Sequence, residues 1–219
     1  MREARSQGAP PRYIAVEGPI GAGKTTLARR LAETFGHEPL LEQAEQNPFL
    51  EDFYRHRARN ALATQLHFLF QRVRQLEALR QADLFTGGRV ADFLIEKDQL
   101  FARLNLEPNE YALYEIIFER LVPSAPRPDL VIYLQAPVDV LHERVQHRGV
   151  PFEQLMERRY LEQLNECYSQ FFHFYDDAPL LIVNAATIDF AHDGKHYAEL
   201  VDYLLNVPPG RHYFNPTFF

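Results

Sequence analysis

The feature that most constrains this chain is a glycine-rich segment close to its first residues. It has the spacing Gly-x-x-x-x-Gly-Lys-Thr and consists of Gly18, Pro19, Ile20, Gly21, Ala22, Gly23, Lys24 and Thr25. A β-rich run, Tyr13–Glu17, precedes it, and apolar residues at helical spacing follow it over residues 25–35. Glycines let backbone N–H groups turn inward around a phosphate, and the start of the next helix attracts negative charge. The segment therefore predicts a strand, a phosphate-binding loop and a helix.

Two residues at the end of this segment have specific tasks in such a loop. The ammonium group of Lys24 would reach the β- and γ-phosphates of ATP, and the hydroxyl of Thr25 would be a ligand for Mg²⁺. Thr26 completes the predicted ATP-binding stretch. The chain has no Asn-Lys-x-Asp motif of the kind that reads guanine in GTPases, and 219 residues leave little room for a motor's sensor domain. A kinase acting on a small molecule or a nucleotide is favoured.

Strand and helix patterns alternate along the rest of the chain. This alternation predicts an α/β fold with a five-stranded parallel sheet, helices on both faces and a short lid. We expect one domain over residues 1–219, with residues 1–11 flexible and residues 207–219 forming a C-terminal tail. The predicted strands cover residues 13–17, 40–41, 89–93, 129–134 and 180–183. The predicted helices cover residues 25–35, 48–57, 60–82, 108–122, 137–147, 152–175 and 197–205.

Charge and composition limit the partners of the chain. The formal net charge of −7 argues against duplex nucleic acid or an anionic membrane as the main partner. With one cysteine, Cys167, no intramolecular disulfide can form. No signal-peptide pattern and no apolar run of membrane-spanning length occurs. We therefore expect a cytoplasmic protein.

Two carboxylates follow predicted strands. Because the carboxyl ends of parallel strands line the ligand crevice, Glu42 and Asp92 should lie near the phosphates. Glu42 could orient and deprotonate an acceptor hydroxyl, and the alternative is a solvated glutamate in a turn. Asp92 could belong to the magnesium shell, and the alternative is a buried structural aspartate.

Helical residues add further candidates. Arg144 and Arg148 are spaced i, i+4 before Gly149 and could clamp a phosphoryl group as a lid, although helical arginines more often form surface ion pairs. Gln65 and Arg72 on the long third helix could present an amide and a guanidinium to the edge of a nucleobase. Alternatively, they are polar residues beside a core stripe.

Together these residues resemble the deoxynucleoside kinase family, which includes deoxycytidine, deoxyguanosine and deoxyadenosine kinases. The likeness runs from about residue 13 to residue 190. Besides the glycine-rich segment, it is carried by Leu41-Glu42, Asn47-Pro48-Phe49-Leu50 with Phe53-Tyr54, Thr64-Gln65, Gln71-Arg72-Val73-Arg74, Lys97-Asp98 with Phe101-Ala102, Arg144 with Arg148-Gly149, Glu153-Gln154, Asn184 and Asp189-Phe190.

The resemblance implies roles on the acceptor side. Glu42 matches the base that acts on the 5′-hydroxyl of a deoxyribonucleoside. Tyr54 and Glu153 match the pair that holds the sugar 3′-hydroxyl. Gln65 matches the amide that pairs with the nucleobase, and Arg72 matches the arginine of the same pocket.

On the donor side, the resemblance implies that Arg144 and Arg148 are lid arginines that contact phosphates. It also implies that Asp189 and Phe190 belong to the loop beneath the donor adenine. A homodimer built on long helices is the family's assembly, and the wide apolar surface of residues 60–82 fits it.

Two features differ from the family pattern or are ambiguous. Eukaryotic members have Glu-Arg-Ser after the third strand, whereas this chain has Ala91-Asp92-Phe93, which lacks the arginine. Strict register places Lys97 where the base-reading acid is expected, and Asp98 follows one position later. The resemblance also implies that Phe101 lies on the aromatic wall of the base site. These differences suggest a bacterial branch with its own base preference.

We therefore predict a kinase that moves the γ-phosphoryl group of ATP, with Mg²⁺, to a deoxyribonucleoside. Two alternatives stay open. One is a nucleoside-monophosphate kinase such as thymidylate kinase, although Ala91-Asp92-Phe93 lacks the arginine that such an enzyme usually has. The other is a non-catalytic ATP-binding module, which would have no need of Tyr54 and Glu153 as a sugar site.

Overall fold

The computed structural model describes residues 9–82, 87–122, 125–188, 190–191 and 194–215. Over these residues the chain forms one parallel sheet with the strand order β2-β3-β1-β4-β5-β6. The strands are β1 Tyr13–Glu17, β2 Glu38–Leu40, β3 Arg89–Ala91, β4 Leu130–Gln135, β5 Leu180–Asn184 and β6 Arg211–Phe214.

Helices connect the strands and cover both faces of the sheet. They are α1 Lys24–Phe35, α2 Leu50–Arg55, α3 Arg57–Ala82, α4 Lys97–Asn105, α5 Pro108–Leu121, α6 Val138–Arg148, α7 Arg158–Phe174 and α8 Gly194–Leu204, with short 3₁₀ turns at Ala44–Gln46 and Glu153–Leu155. No helix within the described ranges has the length and apolarity needed to cross a membrane.

The central strands are buried because their side chains alternate between two apolar layers. Ile14 and Val16 of β1 face a cluster that includes residues of α1 and α8, whereas Ala15 belongs to the cluster on the opposite face. On that second face, the ring of Tyr133 in β4 stacks on Phe172 of α7 with centroids 4.2 Å apart. Burial on both faces fixes the strand ends firmly. Those ends carry the candidate site.

The predicted α/β class with a parallel sheet is confirmed, but the predicted number of five strands is wrong. The additional strand, β6, lies inside residues 207–219, which were predicted as a tail. It is a four-residue edge strand that alternates exposed and half-buried side chains, so it lacks the continuous apolar run of β4. Of the predicted flexible residues 1–11, residues 1–8 lie outside the described part of the chain.

Two helical segments also differ from the prediction. The helix predicted over residues 152–175 begins only at Arg158, because the chain first makes the 3₁₀ turn Glu153–Leu155. Helix α4 was not predicted at all, and it follows β3 after a loop of five residues, 92–96. Both differences affect the site, since the turn carries Glu153 and α4 begins with Lys97 and Asp98.

Candidate active site

The glycine-rich segment forms a tight loop between β1 and α1, as the sequence predicts. Gly21 has a φ of +87°, which favours glycine. A Cβ atom on Gly21 would lie 2.6 Å from the carbonyl oxygen of Leu141 in α6. The loop therefore packs against α6 at a distance that only glycine permits. Lys24 is the first residue of α1, so the amino-terminal end of this helix faces the loop.

The side chain of Lys24 lies across this loop. Its Nζ donates hydrogen bonds to the carbonyl oxygens of Gly18, at 2.7 Å, and Pro19, at 3.1 Å. Burial lowers the pKa of Lys24, and the nearby carboxylate of Glu17 opposes this effect. An ammonium group in this loop, beside the amino-terminal end of α1, is suited to an anionic ligand.

Thr25 and Asp92 lie in direct contact, which brings together the two predicted metal ligands. The hydroxyl of Thr25 donates to Oδ2 of Asp92 at 2.5 Å, and Oδ1 of Asp92 accepts the backbone N–H of Glu42 at 2.7 Å. Burial raises the pKa of Asp92. The hydrogen bond from Thr25 acts in the opposite direction and lowers this pKa. A hydroxyl and a carboxylate oxygen are ligands that Mg²⁺ accepts. The described residues include no cluster of three or more His, Cys, Asp or Glu that could hold a metal.

Glu42 lies just after β2 and is held by two cations. Arg72 donates to its Oε1 from Nε, at 2.8 Å, and from Nη2. The Nζ of Lys97 lies 3.3 Å from the same oxygen. Burial alone would raise the pKa of Glu42, but the charges of Arg72 and Lys97 and the hydrogen bonds from Arg72 lower it to about 2. Glu42 is therefore an oriented, ionised carboxylate and not a solvated turn residue.

Arg72 connects this carboxylate to a second buried group. Its Nη1 donates to Oδ2 of Asp98, which is 0% exposed. Gln65 donates from Nε2 to Oδ1 of Asp98 and to its backbone oxygen, the latter at 3.0 Å, and the hydroxyl of Tyr114 donates to Oδ1 at 2.8 Å. Asp98, and not Lys97, thus lies beside the two predicted base-reading residues, Gln65 and Arg72.

Most of the residues described so far line one large cavity of about 570 Å³. This volume lies within the range of small-molecule sites. Of the predicted site residues, the cavity is lined by Ile20, Gly21, Gly23, Lys24, Thr25, Thr26, Glu42, Tyr54, Gln65, Arg72, Asp92, Phe101, Arg148 and Glu153. Asp98, which was predicted to bind substrate, is not among the lining residues and is buried behind Gln65 and Arg72. The cavity therefore brings the predicted donor loop and the predicted acceptor residues into one space.

Arg148 and Glu153, predicted to serve different ligands, are paired with each other. Arg148 donates from Nε to Oε2 of Glu153 at 2.9 Å, and its Nη2 contacts both carboxylate oxygens. The side chain of Arg148 is 48% exposed, whereas that of Glu153 is 11% exposed. Near this pair, the ring of Tyr54 stacks on Phe152 with centroids 6.2 Å apart. Arg148 is thus within reach of both the solvent and the cavity.

Arg144 and Phe190 are not among the residues that line this cavity. Arg144 donates from Nη2 to the carbonyl oxygens of Ala185 and Ile188, at 2.9 and 3.2 Å, in the segment after β5. Phe190 is buried, and its ring lies 3.6 Å from the point where a Cβ on Gly23 would be. Phe190 therefore packs against the phosphate loop, whereas Arg144 binds the segment after β5. Asp189 lies outside the described residues.

Sequence reasoning missed the parts that Glu17 and Lys97 have in the site. Glu17 is 0% exposed at the end of β1, and Lys97 is 2% exposed at the start of α4. Their charged groups lie 3.6 Å apart. The signal for Glu17 was available, because a carboxylate ends an otherwise buried apolar strand and must find partners there. No comparable signal marked Lys97, since the helix that orients it was not predicted.

Comparison with known proteins agrees with this geometry. A family model described as deoxynucleoside kinase matches residues 14–207. A deoxyguanosine kinase from Bacillus subtilis (strain 168) is 40% identical over 157 residues, which cover 71% of this chain and 76% of that protein. A deoxyadenosine/deoxycytidine kinase from the same organism is 30% identical over 202 residues, covering 89% and 92%.

A solved structure is also similar over most of the chain. The structure of deoxyadenosine kinase from M. mycoides with bound dATP aligns with a TM-score of 0.76 and 28% sequence identity. The alignment covers 89% of this chain and 99% of that one.

Proposed function

This chain belongs to the deoxynucleoside kinase family, and we propose that it transfers the γ-phosphoryl group of ATP to the 5′-hydroxyl of a deoxyribonucleoside. The observation that carries the proposal is a continuous chain of polar contacts across the cavity. It runs from Thr25 through Asp92 to Glu42, and from there through Arg72 to Asp98 and Gln65. One polar network thus joins a phosphate-binding loop to a pocket suited to a nucleobase.

On the donor side, the loop amides and Lys24 bind the phosphates of ATP. Lys24 exchanges its contacts with the Gly18 and Pro19 carbonyls for contacts with phosphate oxygens. Arg148 supplies a further positive charge from the end of α6, where the 48% exposure of its side chain leaves it room to move.

Thr25 and Asp92 would hold Mg²⁺, Thr25 through its hydroxyl and Asp92 through its carboxylate, directly or by way of water. Bound there with ATP, the ion would neutralise charge on the phosphate oxygens. Thr25 and Asp92 already share a hydrogen bond at the amino-terminal end of α1, so their oxygens need little rearrangement to face one ion.

On the acceptor side, Glu42 orients the 5′-hydroxyl and accepts its proton as the phosphoryl group is transferred. Tyr54 and Glu153 line the same cavity and bind the sugar 3′-hydroxyl. Gln65 and Arg72 form the base pocket, with Phe101 on its wall, and the buried carboxylate of Asp98 holds both of these side chains. The Oε1 atom of Gln65 is free of the bonds that its Nε2 makes to Asp98, so it can accept a hydrogen bond from a base.

A direct assay tests the proposal. The chain is incubated with ATP and Mg²⁺ and with each of the four deoxynucleosides or dTMP, and ADP formation is followed together with the phosphorylated product. We expect turnover of at least one deoxynucleoside to its 5′-monophosphate and none of dTMP. Lys24→Met should abolish this turnover, while Lys195→Met, at a side chain that is 78% exposed, should not change it. Turnover of dTMP without turnover of any nucleoside would identify a nucleoside-monophosphate kinase instead.

We further propose that the chain works as a homodimer in the cytoplasm. Phe70 on α3 and Leu113 and Ile116 on α5 are 45%, 48% and 54% exposed, and these two helices share one apolar cluster. Apolar side chains of this size are suited to a contact between two copies. Sedimentation equilibrium should show that the wild-type chain is a dimer. Ile116→Glu should dissociate this dimer, whereas the control Phe174→Glu, on α7, should leave it intact. A monomeric wild-type chain would contradict the assembly.

A further inference from the structure

We propose that Lys97 is a positioning residue for phosphoryl transfer, which fixes the Glu42 carboxylate relative to the donor loop by bridging it to Glu17. The inference rests on the proposed function, since it assigns a task toward the acceptor base of that reaction. It concerns a residue that strict register places at the position of the family's base-reading acid, whereas the carboxylate beside Gln65 and Arg72 is that of Asp98.

The ammonium group of Lys97 lies between two carboxylates. Its Nζ is 3.3 Å from Oε1 and 3.4 Å from Oε2 of Glu42, and 3.6 Å from Oε2 of Glu17. The side chain is 3% exposed, so water screens these interactions only weakly. Lys97 also lines the cavity, which places its charge at the surface that the ligands would meet.

Glu17 is a rigid anchor for this bridge. Its Oε1 accepts the backbone N–H of Gly18 and the hydroxyl of Tyr168, both at 2.9 Å, and its Oε2 accepts the N–H of Leu94 at 2.8 Å. Glu17 immediately precedes Gly18, the first residue of the donor loop. Glu17 therefore fixes the position of the Lys97 ammonium group relative to the loop that binds ATP.

The two oxygens of Glu42 have different surroundings, and this difference gives Lys97 its task. Arg72 donates twice to Oε1, whereas among the described residues only Lys97 lies within hydrogen-bond distance of Oε2. Oε2 is thus the oxygen with room for the acceptor hydroxyl. Without Lys97, the carboxylate could rotate about its contact with Arg72 and move Oε2 away from the donor.

Arg72 cannot replace this function, because its remaining nitrogen is engaged by Asp98. Arg72 connects Glu42 to the base pocket, and Lys97 connects it to Glu17, the residue that precedes the donor loop. The two cations together fix the carboxylate from both sides. Such double fixing matters because a displacement of about 1 Å at a reacting group can cost roughly a hundredfold in rate.

The experiment is a double-mutant cycle between Lys97→Met and Glu42→Gln, with kcat and the KM for ATP measured on the best deoxynucleoside. If Lys97 acts through Glu42, Lys97→Met should lower kcat about a hundredfold and leave the KM for ATP within about threefold. Added to Glu42→Gln, the same change should lower kcat by less than about threefold, because the group that it positions is already disabled. Lys97→Arg should recover kcat to within about tenfold of wild type.

Each alternative predicts a distinct result. A residue that only supports the fold would lower the melting temperature without lowering kcat per folded enzyme, and this result would overturn the proposal. Effects of Lys97→Met and Glu42→Gln that multiply would also overturn it, since Lys97 would then act independently of Glu42. Should Lys97→Met fail to fold, Lys97→Gln and Lys97→Arg enter the same cycle, with Lys195→Met as the surface control.

Turnover by the wild-type chain distinguishes a failure of the role of Lys97 from a failure of the proposed function. If wild type phosphorylates no deoxynucleoside, the proposed function fails and the role of Lys97 fails with it. If wild type is active and Lys97→Met retains kcat within about threefold, only the role of Lys97 is overturned.

Discussion

The guanidinium of Arg72 donates two hydrogen bonds to a single oxygen of Glu42, one of them from Nε at 2.8 Å. With its third nitrogen on Asp98, Arg72 joins the proposed base to the proposed nucleobase pocket. The side chain of Arg72 is 4% exposed, so both of these ion pairs are shielded from water. This geometry makes Arg72 a structural centre of the site as well as a ligand-binding residue.

Arg72→Met should destabilise the fold strongly. Removing one partner of a buried ion pair costs about 3–5 kcal/mol, because the carboxylate that remains is left without its charge partner. Arg72→Lys should fall between wild type and Arg72→Met, since an ammonium group cannot make both contacts of the planar guanidinium. The free energy of unfolding in urea measures the effect. Arg55→Met is the control, because Arg55 pairs with Glu51 on the surface and should cost less than about 1 kcal/mol. Equal losses for Arg55→Met and Arg72→Met would contradict the buried network.

Glu42→Gln should separate catalysis from donor binding. The substitution keeps the shape of the side chain but removes the carboxylate that receives the proton, so kcat should fall by about 10² to 10⁴. Binding of ATP should stay within about threefold, since the donor loop does not depend on this charge. Turnover and equilibrium binding of ATP are measured on the same preparation. Normal turnover by Glu42→Gln would show that the acceptor hydroxyl is activated elsewhere.

Stability should also depend on pH through Glu42. Its pKa in the folded chain is about 2, and its ordinary value is 4.5. Because the folded pKa is the lower one, the ionised carboxylate stabilises the fold above about pH 4.5, and this stabilisation is lost as pH falls toward 2. The difference in unfolding free energy between wild type and Glu42→Gln should therefore shrink by roughly 1 kcal/mol or somewhat more from pH 7 to pH 3.5. A constant difference for Glu42→Gln would contradict the ion pairs seen here.

The donor half of the site could be predicted from the sequence because it is local. Eight consecutive residues form the phosphate loop, and the strand and helix that position it are its immediate neighbours in the chain. Glu42 and Asp92 were also found, since each follows a short strand of a parallel sheet and strand ends converge at one edge. These inferences needed only the parallel arrangement of the strands and no long-range detail.

The assignment of Lys97 and Asp98 could not be made in the same way. Consecutive residues of an α-helix point about 100° apart, so one residue of register decides which side chain faces Glu42 and which faces Gln65. Helix α4 was not predicted, and without it this direction was undetermined. The position of Arg144 could not be predicted from local spacing either. Its spacing from Arg148 placed both arginines on one face of the helix. In the structure, however, Arg144 donates to carbonyl groups after β5 and does not line the cavity.

Gly21 in the donor loop should be sensitive to substitution. Its φ of +87° is unfavourable for other residues, and an added Cβ would lie 2.6 Å from the backbone oxygen of Leu141, which cannot move aside alone. Gly21→Ala should lower the melting temperature and weaken ATP binding at least tenfold. Gly194→Ala is the control, because no described residue lies within 4 Å of the position that its Cβ would occupy. Calorimetry and ATP titration on both variants measure the difference, and unchanged ATP affinity in Gly21→Ala would rule out this loop as the phosphate site.

Arg148 and Arg144 should differ in effect even though they lie one helical turn apart. Arg148 lines the cavity and is half-exposed, so Arg148→Met should lower kcat by about ten- to a hundredfold through the loss of a charge beside the phosphates, with little change in stability. Arg144 binds backbone oxygens after β5, so Arg144→Met should lower the melting temperature and raise the KM for ATP, with a smaller loss of kcat. Melting curves and steady-state kinetics on both variants compare the two effects. If Arg144→Met lowers kcat more than Arg148→Met while leaving the melting temperature unchanged, Arg144 leaves its carbonyl partners when ligands bind, and the lid contains both arginines.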